Sequence, residues 1–219
     1  MSSQLIHQGR VYLLRFNLTR PAAAFLRARL DLTPEEEEIA RFGLQIILYT
    51  ITGFFSIIVV GWLLGCMWTT VTVALTAAYL RLLSGGAHSR SPLTCNIIGM
   101  AVAPLLGKTA AITAPFLTSL TLFLAVAAGF VLCLNIVSRL SPVDSPAKPI
   151  TSSEQRRRLR FLSLLSVLLV TVGQFVLLAI NEAPALVLAA SLGLWWQTFT
   201  LTEGGHRFAT FMDNLKERR

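Results

Sequence analysis

Charged side chains are spaced along the chain so that five long tracts contain no Asp, Glu, Lys or Arg. Phe42 to Leu80 is 39 residues, Ser91 to Gly107 is 17, Thr109 to Ser138 is 30, Phe161 to Asn181 is 21 and Ala183 to Thr202 is 20. A helix needs about 20 apolar residues to cross the hydrocarbon core of a bilayer. The first tract has room for two helices with a turn near Gly61 to Gly65, and the third holds one span, Phe116 to Val137. Six helices are predicted, over 43–64, 66–83, 93–112, 116–137, 161–180 and 184–202. The second ends at Arg81 and the third contains Pro104 and Lys108. Those residues suit a helix that lines a protein interior or bends near the surface. Four spans with one re-entrant hairpin is the alternative arrangement.

The expected fold class is therefore all-α: a polytopic membrane helical bundle of about six transmembrane helices plus an N-terminal amphipathic segment. Residues 1–30 scatter five arginines among apolar residues. That is not the short basic region and unbroken apolar run of a signal peptide. It reads as one or two amphipathic helices, split at Pro21, lying on the membrane surface; a cytosolic arm packed on the bundle is the other reading. Thr33-Pro34-Glu35-Glu36 then marks a helix start, with Thr33 as cap, proline at the first helical position and Glu36 closing a capping box. This helix is expected to run on into the first span. The domain reading is an interfacial segment, 1–33, a membrane-embedded domain, 34–205, and a basic cytosolic tail, 206–219.

Composition sharpens this picture. The chain of 219 residues is 54% hydrophobic and 14% charged, against about 25% charged in soluble domains. With the N-terminus inside, eighteen of the nineteen basic residues fall on the inner side and only Lys108 lies outside. Such a bias predicts cytosolic termini and six spans. The net charge of +8 is thus a topology signal, and no aromatic-interleaved basic module accompanies it to suggest nucleic acid. Cys66 and Cys133 fall in apolar spans as packing residues.

Cys95 stands elsewhere, at a polar junction running from Arg81 through Ser84-Gly85-Gly86-Ala87-His88-Ser89-Arg90-Ser91-Pro92. The glycine pair can end the second span, Ser91 can cap the next helix, and Pro92 suits its first position. Cys95 then falls in a first helical turn, where the thiolate is favoured. His88 precedes it by seven; on one continuous helix the pair would stand about 10 Å apart along the axis. Proton transfer needs roughly 3 Å contact or one bridging water, so the break between the helices must fold back to close the gap. A His–Cys pair is the minimum for a thiol nucleophile and its base. On spacing alone, a polar turn between spans remains the plainer reading. Zinc is disfavoured, since four ligands are wanted and adding His206 makes only three; no cofactor is expected.

Arg81, Gly86, His88 and Cys95 match the arginine, Gly-x-His and later cysteine of the AgrB family, accessory gene regulator protein B of Gram-positive quorum sensing, and the stretch resembles that family's active-site region. A second similarity follows the fourth span: Pro142-Val-Asp144-Ser-Pro-Ala-Lys148-Pro149-Ile150, then Arg156-Arg157-Arg158. It resembles the family's proline-rich loop ending in Lys-Pro-Ile and a basic run. Lys148 stands alone here, where some members carry several lysines. The resemblance covers most of residues 35–205.

The resemblance implies a cysteine endopeptidase of the cell membrane that acts on an AgrD-like precursor peptide and forms a homodimer. By it, Cys95 attacks the carbonyl where the precursor's C-terminal tail begins, and His88 deprotonates the thiol and protonates the leaving amine. A precursor cysteine or serine then displaces the enzyme thioester to give a thiolactone or lactone. Asp144 is a candidate third member that orients His88, with a turn residue beside Pro146 as its plainer role. Arg81, Gly85, Gly86, Lys148 and Arg156 to Arg158 are candidates for substrate binding or structural support. The basic run also suits contact with anionic membrane lipids. Two other classes remain: a small transporter or channel with His88 and Lys108 along its path, and a passive membrane scaffold that has no need of Cys95.

Overall fold

The computed structural model describes residues 19–87, 89, 92–144, 150 and 152–217. The described residues are helical, apart from short connections. The chain divides into two units, Met1–Tyr49 and Thr50–Arg219.

In the first unit, α1 (Thr19–Leu30) carries Pro21 in its first turn, a place where proline is tolerated. Arg29 lies over the Phe25 ring, 5.5 Å from its centroid. The chain turns at Asp31, whose φ is 49°, and α2 (Pro34–Leu63) begins. The capping box forms as expected: the Thr33 amide donates to Glu36 Oε2 at 2.9 Å and the Glu36 amide donates to Thr33 Oγ1 at 3.3 Å. Arg27 pairs with Glu37 at 2.8 Å within this unit. The helix runs unbroken into the first apolar tract, as its sequence implies.

The second unit contains the end of α2, then α3 (Met67–Ser84), α4 (Pro92–Thr113), α5 (Ser119–Leu140), α6 (Ser153–Ala179), α7 (Pro184–Leu201) and α8 (Glu203–Glu217). Gly65, with φ of 66°, makes the turn from α2 to α3. A 3-10 turn at Ala114–Phe116 and a Thr118 cap on the Thr121 amide delay α5 to Ser119. The fourth span therefore starts a turn later than the apolar tract alone suggests. α6 starts two turns before the fourth apolar tract, so the arginine run belongs to a helix rather than to the preceding loop.

Five of these helices, α2 and α4 to α7, are long and apolar enough to cross a membrane. Their outer faces expose large apolar side chains such as Phe55, Leu105, Phe123, Leu169 and Val176, the surface a bilayer accepts and water does not. The protein is a multi-pass membrane protein. α3 is as long as α7 but less apolar, because threonines and Arg81 interrupt it. It packs against α4, α6 and α7, so those polar groups face protein rather than lipid.

α3 and α7 supply both cores of this unit. Val73 and Ala74 join Ala103, Ala110, Leu122, Leu188 and Ala189 in one. Leu80 joins Cys133, Val137, Val167, Leu194 and Leu201 in the other. Between helices in lipid, close van der Waals packing of such small and aliphatic side chains, rather than exclusion of water, holds the bundle together. Pro104 is fully buried within α4, in keeping with a helix that lines an interior. Lys108 donates to the Leu64 carbonyl at 2.9 Å, closing the C-terminal end of α2, where a cation is favoured.

Candidate functional site

The end of α3 is built from residues whose polar groups have no place in a continuous span. Arg81 sits in its last turn. Gly85 and Gly86 follow with φ of 67° and 146°, a region in which glycine alone is unstrained. A Cβ on Gly85 would run into the Val143 carbonyl oxygen, and one on Gly86 would lie 2.7 Å from Thr200 Oγ1. The glycine pair is therefore needed both for the turn and for close approach to the neighbouring segments.

This turn is held from three sides. Gln197, 1% exposed on α7, donates through Nε2 to the Gly85 carbonyl at 2.7 Å and to Ser84 Oγ at 3.3 Å. Its Oε1 accepts from Arg81 at 3.4 Å. Arg81 also donates to the Ala87 carbonyl at 2.5 Å, and the Ala87 amide donates to the Thr200 carbonyl at 2.8 Å. From the loop after α5, the Val143 amide donates to the Ser84 carbonyl at 2.9 Å. The two motifs, far apart in sequence, thus meet at the end of α3.

α4 begins at Pro92 and carries Cys95, partly exposed, in its first turn. A cavity of about 390 Å³ opens there, with Arg81, Ala87, Ser89 and Cys95 in its wall. The Arg81 guanidinium is near enough to Cys95 for the two to interact electrostatically. The rest of the wall is largely apolar and includes Trp196, Phe199 and Phe208. These three rings contact one another, with centroids 5.7 to 6.5 Å apart, and they join α8 to α7. Among the described residues, the arrangement presents a thiol and a cation in the wall of a largely apolar chamber that also holds Ser89, Asn96 and Gln197.

Of the residues singled out from sequence, Arg81 and Cys95 meet at the cavity and Gly85 and Gly86 shape its approach. His88 and Lys148 lie outside the described residues. Asp144 is exposed and accepts from Arg156 at 2.5 Å. Arg156 also donates to the Pro142 carbonyl at 3.5 Å, and Arg160 donates to the Ser141 carbonyl at 2.8 Å. These two arginines brace the loop after α5, while Arg157 and Arg158 face outward from α6. Lys108 is not among the residues of the cavity wall. Cys66 and Cys133 are buried away from it, Cys133 accepting from Thr198 at 3.3 Å.

Sequence reasoning missed Gln197 and α8. Gln197 is a single amide inside an apolar tract, which is a signal of buried hydrogen bonding but not of its partner. In α8, Gly205, Ala209 and Asp213 repeat every fourth residue and are all buried. That stripe is legible as one face of a helix, and Ala209 lines the cavity. The tail thus contributes to the site's wall.

The family model described as Accessory gene regulator B matches residues 19–201. A protein of Clostridium perfringens strain SM101 described as AgrB-like is 27% identical over 216 residues, covering 92% of this chain and 98% of its own. A second, from strain 13 of that species, is 26% identical over 211 residues, with coverage of 92% and 98%. An AgrB-like protein of Listeria monocytogenes strain F2365 is 28% identical over 156 residues, covering 69% of this chain and 71% of its own. No solved structure matches the chain significantly.

Proposed function

Because this chain belongs to the accessory gene regulator B family, we propose that it is an integral-membrane cysteine endopeptidase that removes the C-terminal tail of an AgrD-like precursor peptide. The observation that carries this reading is Cys95, in the first turn of α4, at the wall of a largely apolar cavity beside the Arg81 guanidinium. A passive scaffold needs no such thiol. A transport path would use Lys108, which instead donates to the Leu64 carbonyl at a helix end.

The chemistry proceeds in two exchanges. His88 takes the Cys95 proton, and the sulfur attacks the carbonyl carbon of the scissile peptide bond. The tetrahedral intermediate collapses, the C–N bond breaks, and His88 gives the proton to the departing amine. The precursor's acyl part is now a thioester on Cys95. A thiol or hydroxyl of the same precursor, deprotonated by His88, attacks that thioester, and the Cys95 thiolate leaves and regains the proton. The product is a thiolactone or lactone ring. Arg81 supplies a positive charge for the carbonyl oxygen on which negative charge develops. An apolar chamber disfavours water, the competitor for the thioester.

The same reading puts the cavity and both termini at the cytosolic face, because with six spans and the N-terminus inside eighteen of the nineteen basic residues lie on that side. It includes assembly as a homodimer, supported by the family resemblance. Arg157 and Arg158, exposed in the first turns of α6, supply positive charge for an acidic precursor tail or for anionic lipid.

Co-expression of an AgrD-like precursor with wild type, Cys95→Ala and His88→Ala tests the proposal by precursor mass. Cleavage by wild type with loss in both variants is the expected result. Unchanged cleavage by Cys95→Ala overturns it.

A further inference from the structure

A carboxylate is out of place on the buried stripe of α8. Gly205 and Ala209 occupy that stripe as small residues that let the helix pack closely, and the next position along it is Asp213, 8% exposed. Burying a carboxylate is costly unless it is hydrogen-bonded, and a leucine or alanine there would complete an apolar face. The Asp213 carboxylate accepts a hydrogen bond from the Ser89 hydroxyl, across 124 residues of sequence.

Ser89 is part of the cavity wall, and so are Phe208 and Ala209 of α8. On the other side of position 88, Ala87 is held by Arg81 through its carbonyl and by Thr200 through its amide. The residue before His88 and the residue after it are therefore both tied to surrounding helices. One tie comes from α3 and α7, and the other comes from α8.

We infer that Asp213 is a positioning residue for the Cys95 site: through its bond to Ser89 it ties α8 to the cavity wall that carries Cys95. Asp213 neither attacks nor transfers a proton. Its carboxylate holds a wall of the cavity whose displacement by about an ångström degrades the alignment of groups bound there. The inference rests on the cysteine-protease reading of the same site.

The test uses the full chain in liposomes with a synthetic AgrD-like precursor. Wild type is compared with Asp213→Ala, Ser89→Ala, the double variant, Asp213→Glu and Cys95→Ala. Rates are normalised to the amount of Cys95 that iodoacetamide labels, identified by peptide mass, so that loss of folded protein does not count as loss of turnover. Each single substitution is expected to lower kcat on the order of tenfold with KM little changed. The double variant is expected to be no worse than the weaker single one, because both remove the same tie. Asp213→Glu, which keeps the carboxylate, is expected to recover part of the loss. Wild-type kcat in Asp213→Ala, or additive losses in the double variant, would overturn the inference while leaving the protease reading intact. Cleavage by Cys95→Ala would overturn that reading and this inference with it.

Discussion

The Gln197 side chain donates to the Gly85 carbonyl at 2.7 Å, joining α7 to the turn that ends α3. The same amide reaches Ser84 and receives Arg81, so one buried side chain sets the turn's path and the orientation of the guanidinium beside Cys95. A methyl or isobutyl group in its place would leave those groups without their partner.

Gln197→Leu is expected to destabilise the protein by about 1–3 kcal/mol, the cost of leaving buried polar groups unsatisfied. Denaturant titration in detergent reads this. Precursor cleavage should fall further than stability accounts for, because Arg81 loses a positioning contact as well. Equal losses of folded protein and cleavage would contradict the orienting role.

Gly86→Ala combines a positive φ of 146° with a Cβ 2.7 Å from Thr200 Oγ1. A backbone held in such a region costs about 1–3 kcal/mol for a residue with a side chain, and α7 must also shift. Melting temperature and cleavage are both expected to drop. Gly43→Ala is the control: nothing lies within 4 Å of its Cβ, and alanine is the better helix former by about 1 kcal/mol.

The arginine run should divide functionally. Arg156→Ala removes contacts to Asp144 and Pro142, and an exposed ion pair of this kind is worth about 0.2–1 kcal/mol. Its effect should be structural and small, seen as faster hydrogen exchange in the loop after α5. Arg157→Glu with Arg158→Glu should instead weaken processing of an acidic-tailed precursor, with KM rising more than kcat falls and the effect shrinking as salt screens the charges. No change in KM would remove these residues from substrate contact.

Thr33→Ala opens the capping box at the start of α2, at a cost of about 1 kcal/mol. Hydrogen exchange at the Glu36 amide, which donates to Thr33 Oγ1, should accelerate, while exchange in α7 stays unchanged. Protection at Glu36 equal to wild type would show the cap to be dispensable.

Orientation has a direct readout. In intact cells a membrane-impermeant maleimide is expected to leave Cys95 unlabelled, and permeabilisation should expose it. Labelling of Cys95 from outside would place the cavity on the opposite face from the one that the basic residues indicate.

Much of this architecture is legible in the sequence. The charge-free tracts located the helices, Thr33 and Glu36 located a cap, and Gly85-Gly86 with Pro92 located the break before Cys95. These are local matters, governed by hydrogen bonds within a turn or two and by the hydrophobicity of one segment at a time. The charge bias is equally local, because each loop is read by itself.

What the tracts could not reveal is which helix the others enclose. α3 and α7 are no longer than their neighbours, yet they carry both cores, and only packing turns the threonines of α3 inward. The partners of Gln197 and Asp213 lie 112 and 124 residues away, separations at which no periodicity carries information. The Asp144 carboxylate pairs with Arg156, twelve residues along the chain. Sequence by itself determined a multispan helical protein with a thiol at a helix start. Tertiary structure alone decided that the C-terminal helix walls the cavity, because burying polar groups in an apolar bundle requires partners that only the assembled helices supply.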